Sequence, residues 1–321
     1  MQKRFWNPIS IKTKLMNRVI LYLAFYITGV TITIGQVKSE EILIKNNTIE
    51  LPGTLTYLEA NTPLIIWVHG SGGVDRNGNQ SKYIQQFRKA INKHNIAFFS
   101  YDKRTANPKN ASILKKNGVV FSDFIDDVKK VVNYFKDDER FSEIILVGHS
   151  QGSLIAMLAL DNVDKYISIA GAGETIDKIL IRQITRQNPI YGAITEKYLN
   201  ELKETGTIKE VDPNLMSLFA KQNQPFLISW IQLNPLKIIK KVTVPTLIIN
   251  GDKDFQVLVK DAENLKKAKP SAELVIIKNM NHVLKHIDKD KNNLNSYLSP
   301  DFPISKQLIK TVTNFIQKTK N

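Results

Sequence analysis

Two rhythms of apolar residues alternate along this chain. Short continuous apolar runs, of the kind needed by parallel strands covered on both faces, occur at Pro63–Val68, Ile96–Tyr101, Glu143–Val147, Tyr166–Ala170, Thr246–Asn250 and Glu273–Ile277. Glu41–Lys45 and Thr48–Leu58 read as two further strands around an Asn46-Asn47 turn. Between the runs the apolar spacing becomes helical. Gln80–Lys93 aligns Ile84, Phe87 and Ile91 on one face; Phe121–Lys136 aligns Phe124, Val128, Val131 and Phe135; Ile304–Lys318 forms a last amphipathic helix. Asp123, Asp126 and Asp127 fall in the early turns of the second of these, where the helix dipole favours anions. Such alternation predicts an α/β fold with a mostly parallel sheet and right-handed crossovers. One stretch breaks the rhythm. From about Glu174 to Lys241 no buried strand is expected, and Ile176–Ile184, Thr195–Thr205 and Pro213–Lys221 read as helices of an insertion between two sheet strands.

The first 35 residues follow a different logic. Lys3, Arg4, Lys12, Lys14 and Arg18 precede an apolar run, Val19–Ile34, with no acidic residue among them. Its 16 residues are short for a spanning helix, and Thr33 and Gly35 suit a cut before Gln36. The reading is a secretory signal peptide over residues 1–35 and an exported, periplasmic or secreted, mature chain over 36–321; if uncut, 19–34 would be a membrane tether. Composition narrows the chemistry. The 321 residues contain no cysteine, which excludes disulfides, thiol nucleophiles and cysteine-ligated metals. The net charge of +15 does not point to nucleic acid, because 37 of the 45 basic residues are lysines scattered over the whole chain.

The chemistry concentrates at Gly148-His149-Ser150-Gln151-Gly152, a G-x-S-x-G string with the strand Ile144–Val147 before it and an apolar helix from Ser153 after it. A serine there sits on a strained turn, and small residues two positions either side let backbone pass backbone. These residues, with the strand order around them, resemble the α/β-hydrolase family over most of the mature chain, in its serine esterase and aminopeptidase-like branch. The resemblance implies an α/β-hydrolase fold: a mostly parallel central sheet flanked by helices, with 174–241 as a helical cap. It implies Ser150 as nucleophile, followed in the chain by an acid and a histidine. His282, in a loop just after the strand Leu274–Ile277, takes the place of the base; His286, four residues on, reads as already helical. The acid follows the strand Thr246–Asn250, in Gly251-Asp252-Lys253-Asp254. Asp252 and Asp254 share the same parity in an extended chain, so periodicity does not separate them, and the resemblance favours Asp254.

The resemblance also implies an oxyanion hole from the backbone N–H groups of Gln151 and of Ser71, the latter in His69-Gly70-Ser71-Gly72-Gly73. No P-loop signature follows that glycine-rich turn. His69 and His149 read as loop-orienting, His94 as solvent-facing, and Tyr101-Asp102-Lys103-Arg104 as a turn closed by an Asp102–Arg104 hydrogen bond, with Thr105 where the family's loop has glycine. His282 and His286 at i, i+4 lack a zincin's glutamate, since Val283 stands in its place, and the Asp288–Asn292 run has Asn293 where a calcium loop needs glycine. Neither metal nor cofactor is therefore expected. The expected function is cleavage of an ester or related acyl bond of a small-molecule or peptide substrate through an acyl-enzyme, with Phe219, Phe226 or Trp230 of the cap as walls of the acyl pocket. An acyltransferase, peptidase or thioesterase on the same residues, or a non-catalytic binding protein on this fold, are the alternatives.

Overall fold

The computed structural model describes residues 36–318. The β-branched and aromatic runs form eight strands: β1 (Lys38–Asn46), β2 (Ile49–Tyr57), β3 (Thr62–Val68), β4 (Ala97–Tyr101), β5 (Phe141–His149), β6 (Lys165–Ile169), β7 (Thr246–Gly251) and β8 (Glu273–Ile277). They make one sheet in the order β1-β2-β4-β3-β5-β6-β7-β8. β1 pairs antiparallel with β2, and β2 antiparallel with β4; from β4 through β8 every neighbouring pair is parallel.

Side chains alternate across the parallel strands and feed two apolar layers. Leu64, Ile66 and Val68 of β3 join Leu146 of β5 in one layer, while Ile65 and Trp67 join Ile145 and Val147 in the other. Helix α1 (Tyr83–Asn92) lies in the second layer and, after α2 (Ala111–Asn117), helix α3 (Phe121–Phe135) lies in the first. Helix α4 (Gln151–Met157) starts immediately after β5. Between β6 and β7 the chain forms α5 (Ile176–Gln187), α6 (Pro189–Thr205), α7 (Met216–Phe219), α8 (Gln224–Ile231) and α9 (Pro235–Ile239). Asn188 and Asn234 start two of these helices by accepting backbone N–H bonds, each just before a proline at the first helical position. This segment carries its own cluster, built from Tyr198, Leu199, Leu202, Leu215, Phe219 and Leu227. Helix α10 (Val259–Ala268) then crosses between β7 and β8, and α11 (Lys306–Gln317) ends the described chain against the second layer.

The insertion departs from the expected helices, the second of which begins at Pro189 rather than Thr195. The stretch 213–223 is broken into short turns around α7, because Ala220 is extended at φ −48°, ψ 145°. A longer helix then follows at α8, where Pro225 supplies the fixed φ of a first turn. No helix begins at His286; it sits in an isolated bridge with Met280, its N–H bonded to the Pro303 carbonyl. The segment 1–35 lies outside the described residues. Among the described residues, no helix is long and apolar enough to cross a membrane.

Candidate active site

Parallel strands deliver their following loops to one edge of the sheet, and ligands of such sheets bind there. Six loops meet at that edge here, after β3, β4, β5, β6, β7 and β8. The turn after β5 is the tightest. Ser150 has φ 54° and ψ −120°, a conformation that disfavours any residue with a side chain. Its N–H donates to the Ile169 carbonyl at 2.9 Å, and its carbonyl accepts from Ser153 N at 3.0 Å, so both ends of the turn are held. A Cβ on Gly148 would lie 2.4 Å from the Gly152 oxygen, and one on Gly152 would lie 2.1 Å from the Val68 oxygen. The string therefore needs its glycines for contact between backbones. The strain at Ser150 lifts its side chain to the edge, at the start of α4, where free N–H groups and the positive end of the helix dipole gather.

The loops after β7 and β8 bring together Asp254 and His282. Asp254 Oδ2 lies 2.7 Å from His282 Nδ1; the carboxylate is fully buried and the imidazole 7% exposed. The other oxygen, Oδ1, accepts backbone N–H bonds from Gln256 at 2.8 Å and Val257 at 3.0 Å, which fixes the carboxylate plane. Asp252 is exposed and accepts from Asn279 N at 2.6 Å, holding the two loops together without touching His282. His286 pairs with Asp288 on the surface at 2.8 Å. Among the described residues no three His, Asp or Glu side chains converge to hold a metal ion.

His149 reaches across from the nucleophile turn, its Nε2 at 2.8 Å from the His282 carbonyl and its ring stacked 5.8 Å from Trp67. Burial, reinforced by electrostatic repulsion between the two neighbouring imidazoles, lowers its pKa to about 3. It is thus a neutral donor to that carbonyl. His69 behaves alike: Nε2 faces the Tyr101 carbonyl, and burial together with the Lys103 charge lowers its pKa to about 4. Gly70 brings the loop after β3 against the serine, since a Cβ there would lie 3.3 Å from Ser150 Cβ. Ser71 follows on that loop, exposed to the cleft, and Gln151 opens α4.

The loop after β4 corrects the expected turn. Asp102 and Arg104 do not pair with each other. Asp102 takes Arg76 in a bidentate grip, with Nε at 3.0 Å and Nη2 at 2.9 Å. Arg104 is buried on Asp127 of α3, with Nε at 2.7 Å and Nη2 at 2.8 Å, and reaches Asp123 as well. The two side chains serve different neighbours because helix α3 and the loop after β3 both pack against this turn. Between them, Lys103 is 3% exposed, and its Nζ donates to the Gly70 carbonyl and to Gln151 Oε1, each at 2.7 Å. No local signal in a lysine-rich sequence marks this one as buried.

Ser150, His282, Ser71, Gln151 and Lys103 line one cleft of about 1350 Å³ between the sheet edge and the helical insertion. The apolar side chains on its walls include Leu154, Ile179, Leu218, Phe226 and Trp230. Phe226 and Trp230 stand where a pocket wall was expected, their rings 5.6 Å apart. Phe219 does not: it is wholly buried inside the insertion's own cluster, with Tyr198 edge-on at 5.3 Å.

The sequence model of the BD-FAE family matches residues 55–268. Esterase EstD of Thermotoga maritima is 24% identical over 244 residues; the match covers 73% of this chain and only 58% of EstD. Solved structures share the fold as well. Est1E from Butyrivibrio proteoclasticus superposes with a TM-score of 0.57 at 18% identity, over 87% of this chain and 99% of its own. Esterase Pf2001 from Pyrococcus furiosus gives 0.58 at 17% identity, over 88% and 91%. With its mostly parallel eight-stranded sheet flanked by helices and a family match over more than half its length, this chain belongs to the BD-FAE family and has the α/β-hydrolase fold.

Proposed function

We propose that this protein hydrolyses carboxylic esters through Ser150, His282 and Asp254. The observation that carries the reading is the juxtaposition of a serine strained at φ 54° with a buried His282–Asp254 pair in the same cleft. Asp254 at Nδ1 leaves Nε2 of the neutral imidazole as the acceptor, the tautomer a general base requires. Ser150 Oγ attacks the ester carbonyl and His282 takes its proton. The tetrahedral oxyanion is held by the N–H groups of Ser71 and Gln151, and His282 returns the proton to the leaving alkoxide. Water then attacks the acyl-enzyme by the same route in reverse. Hydrogen bonds of this kind are often long before substrate closes the site, which accords with the lack of a Ser150–His282 bond among the described residues.

The apolar walls and cleft volume favour a bulky acyl group, aromatic acids included. Est1E is known with ferulic acid bound. The insertion, as a cap, would select the acyl group rather than perform chemistry. The test is an assay of matched p-nitrophenyl ester, thioester and anilide substrates across acyl lengths, with Ser150→Ala beside wild type. Ester turnover lost in Ser150→Ala supports the reading, full activity in that variant refutes it, and faster anilide cleavage would make the enzyme a peptidase. Export is part of the proposal, resting on the basic start and the apolar 19–34 run. Protein from its host should begin near Gln36 on N-terminal sequencing; an intact Met1 on a soluble cytoplasmic product would overturn export.

A further inference from the structure

We propose that Lys103 is the positioning residue of the oxyanion hole, setting the direction of the Ser71 N–H by gripping the carbonyl of the same peptide unit. The inference rests on the hydrolase reading above. In a trans peptide the C=O of one residue and the N–H of the next lie in one plane and point opposite ways. The peptide joining Gly70 to Ser71 is trans, as are all the described peptide bonds. Its carbonyl accepts from Lys103 Nζ at 2.7 Å, so its N–H is turned to the opposite side.

The loop needs such a hold. Gly70, Gly72 and Gly73 surround Ser71, and Gly72 has φ 83° with no atom near its absent Cβ. Residues 71–73 are exposed, and a peptide plane that follows a glycine rotates cheaply. An oxyanion donor that rotates freely contributes little, because its worth lies in being aimed before the charge develops. Lys103 can hold it because Lys103 is itself fixed. Its flanking residues are each ion-paired, Asp102 to Arg76 and Arg104 to Asp127. Its own N–H donates to Val74 O at 3.2 Å, and its ammonium sits 4.3 Å from the centre of the Phe124 ring. The second bond from Nζ goes to the side chain of Gln151, whose backbone N–H is the other proposed donor. One amine thus ties the two donor residues together across the serine. Burial lowers the Lys103 pKa to about 7, against the pull of Asp127. The grip survives either protonation state, since an ammonium has three N–H donors, an amine two, and two acceptors are bonded.

The test compares Lys103→Met, which keeps the length but removes both bonds, with Lys103→Gln, whose amide can donate to the same oxygens. In Lys103→Met, kcat for a p-nitrophenyl ester should fall by about 10²-fold with KM within about threefold, the pattern of a contact made only in the transition state. Lys103→Gln should recover at least about tenfold of that loss. Affinity for an alkyl boronic acid, which forms a tetrahedral adduct on the serine, should fall in step with kcat/KM. A residue that merely supports the fold would lower the melting temperature and the active fraction without this kcat and boronate pattern. A kcat loss below about tenfold in folded Lys103→Met, or a loss wholly in KM, overturns the proposal. If neither variant folds, the wild-type protein decides: the Ser71 amide proton should move downfield when boronate binds, and an unmoved signal overturns the proposal. A fully active Ser150→Ala would sink the hydrolase reading itself; a dead Ser150→Ala beside a fully active Lys103→Met would sink this inference alone.

Discussion

Replacing Asp254 by Asn exchanges one oxygen for an NH₂ group, and the structure dictates which way the amide must sit. Oδ1 of Asp254 accepts two backbone N–H bonds, from Gln256 and Val257. An NH₂ facing those donors would forfeit both bonds, about 1 kcal/mol each, and set donor against donor. The amide oxygen therefore stays there, and the nitrogen occupies the Oδ2 position, 2.7 Å from His282 Nδ1. It donates, Nδ1 becomes the acceptor, and the imidazole proton moves to Nε2, where it blocks uptake of the serine proton. Water has no room to substitute, because the Asp254 side chain is fully buried. In serine proteases the same exchange lowers turnover about 10⁴-fold. That is about 5.5 kcal/mol of barrier, and a loss of at least ~10² is expected here. Asp252→Asn is the control. It is exposed and makes one bond, from Asn279 N, which an amide oxygen can also accept, so its activity should stay within about tenfold, or ~1.4 kcal/mol. The assay is steady-state turnover of a short-chain p-nitrophenyl ester, with a melting curve for each variant to exclude misfolding. A folded Asp254→Asn with more than about a tenth of wild-type kcat, or a crippled Asp252→Asn, would show that Asp254 is not the partner of His282 in turnover.

Gly152→Ala should destabilise by more than about 3 kcal/mol, because its Cβ would sit 2.1 Å from the Val68 carbonyl, which cannot rotate away; urea unfolding showing a loss under about 1 kcal/mol would contradict this. Acid should loosen the fold early. His69 and His149 have pKa values lowered to about 4 and about 3, so as pH falls through the ordinary imidazole range the unfolded chain takes up their protons first. Their contribution is complete above about pH 6.5 and is lost below it, roughly 1.4 kcal/mol per group by pH 5.5. Urea unfolding at pH 7.5 and 5.5 should show this drop, and a flat stability between those pH values would count against neutral burial. Trp230→Ala removes a cleft wall that packs 5.4 Å from Phe121, and should shift the kcat/KM ratio between bulky and acetyl esters by about tenfold or more while Ser150 still reacts with a small fluorophosphonate. An unchanged ratio would mean that the insertion does not contact the acyl group.

Features that depend on near neighbours were legible along the linear chain. Strand runs, helix faces and the strand–turn–helix context of Ser150 are written within a few residues of each other, because pleat, helical turn and steric clash act over that range. The placement of His282 just after a strand was legible for the same reason. What lay beyond the sequence was every choice made between distant segments. Asp252 and Asp254 have the same parity, and only the meeting of the loops after β7 and β8 buries one of them on His282 while the other stays in solvent. Asp102 and Arg104 look like partners two residues apart, yet Arg76 and α3 offer each a bidentate match. Phe219 has the composition of a pocket wall, but the helices of the insertion close around it. Lys103 is the clearest case. A lysine's default place is the surface, and nothing local distinguishes this one among 37. Its burial is decided by tertiary packing alone, which surrounds it with Phe124 and two oxygen acceptors drawn from a loop 33 residues away and a helix start 48 residues away.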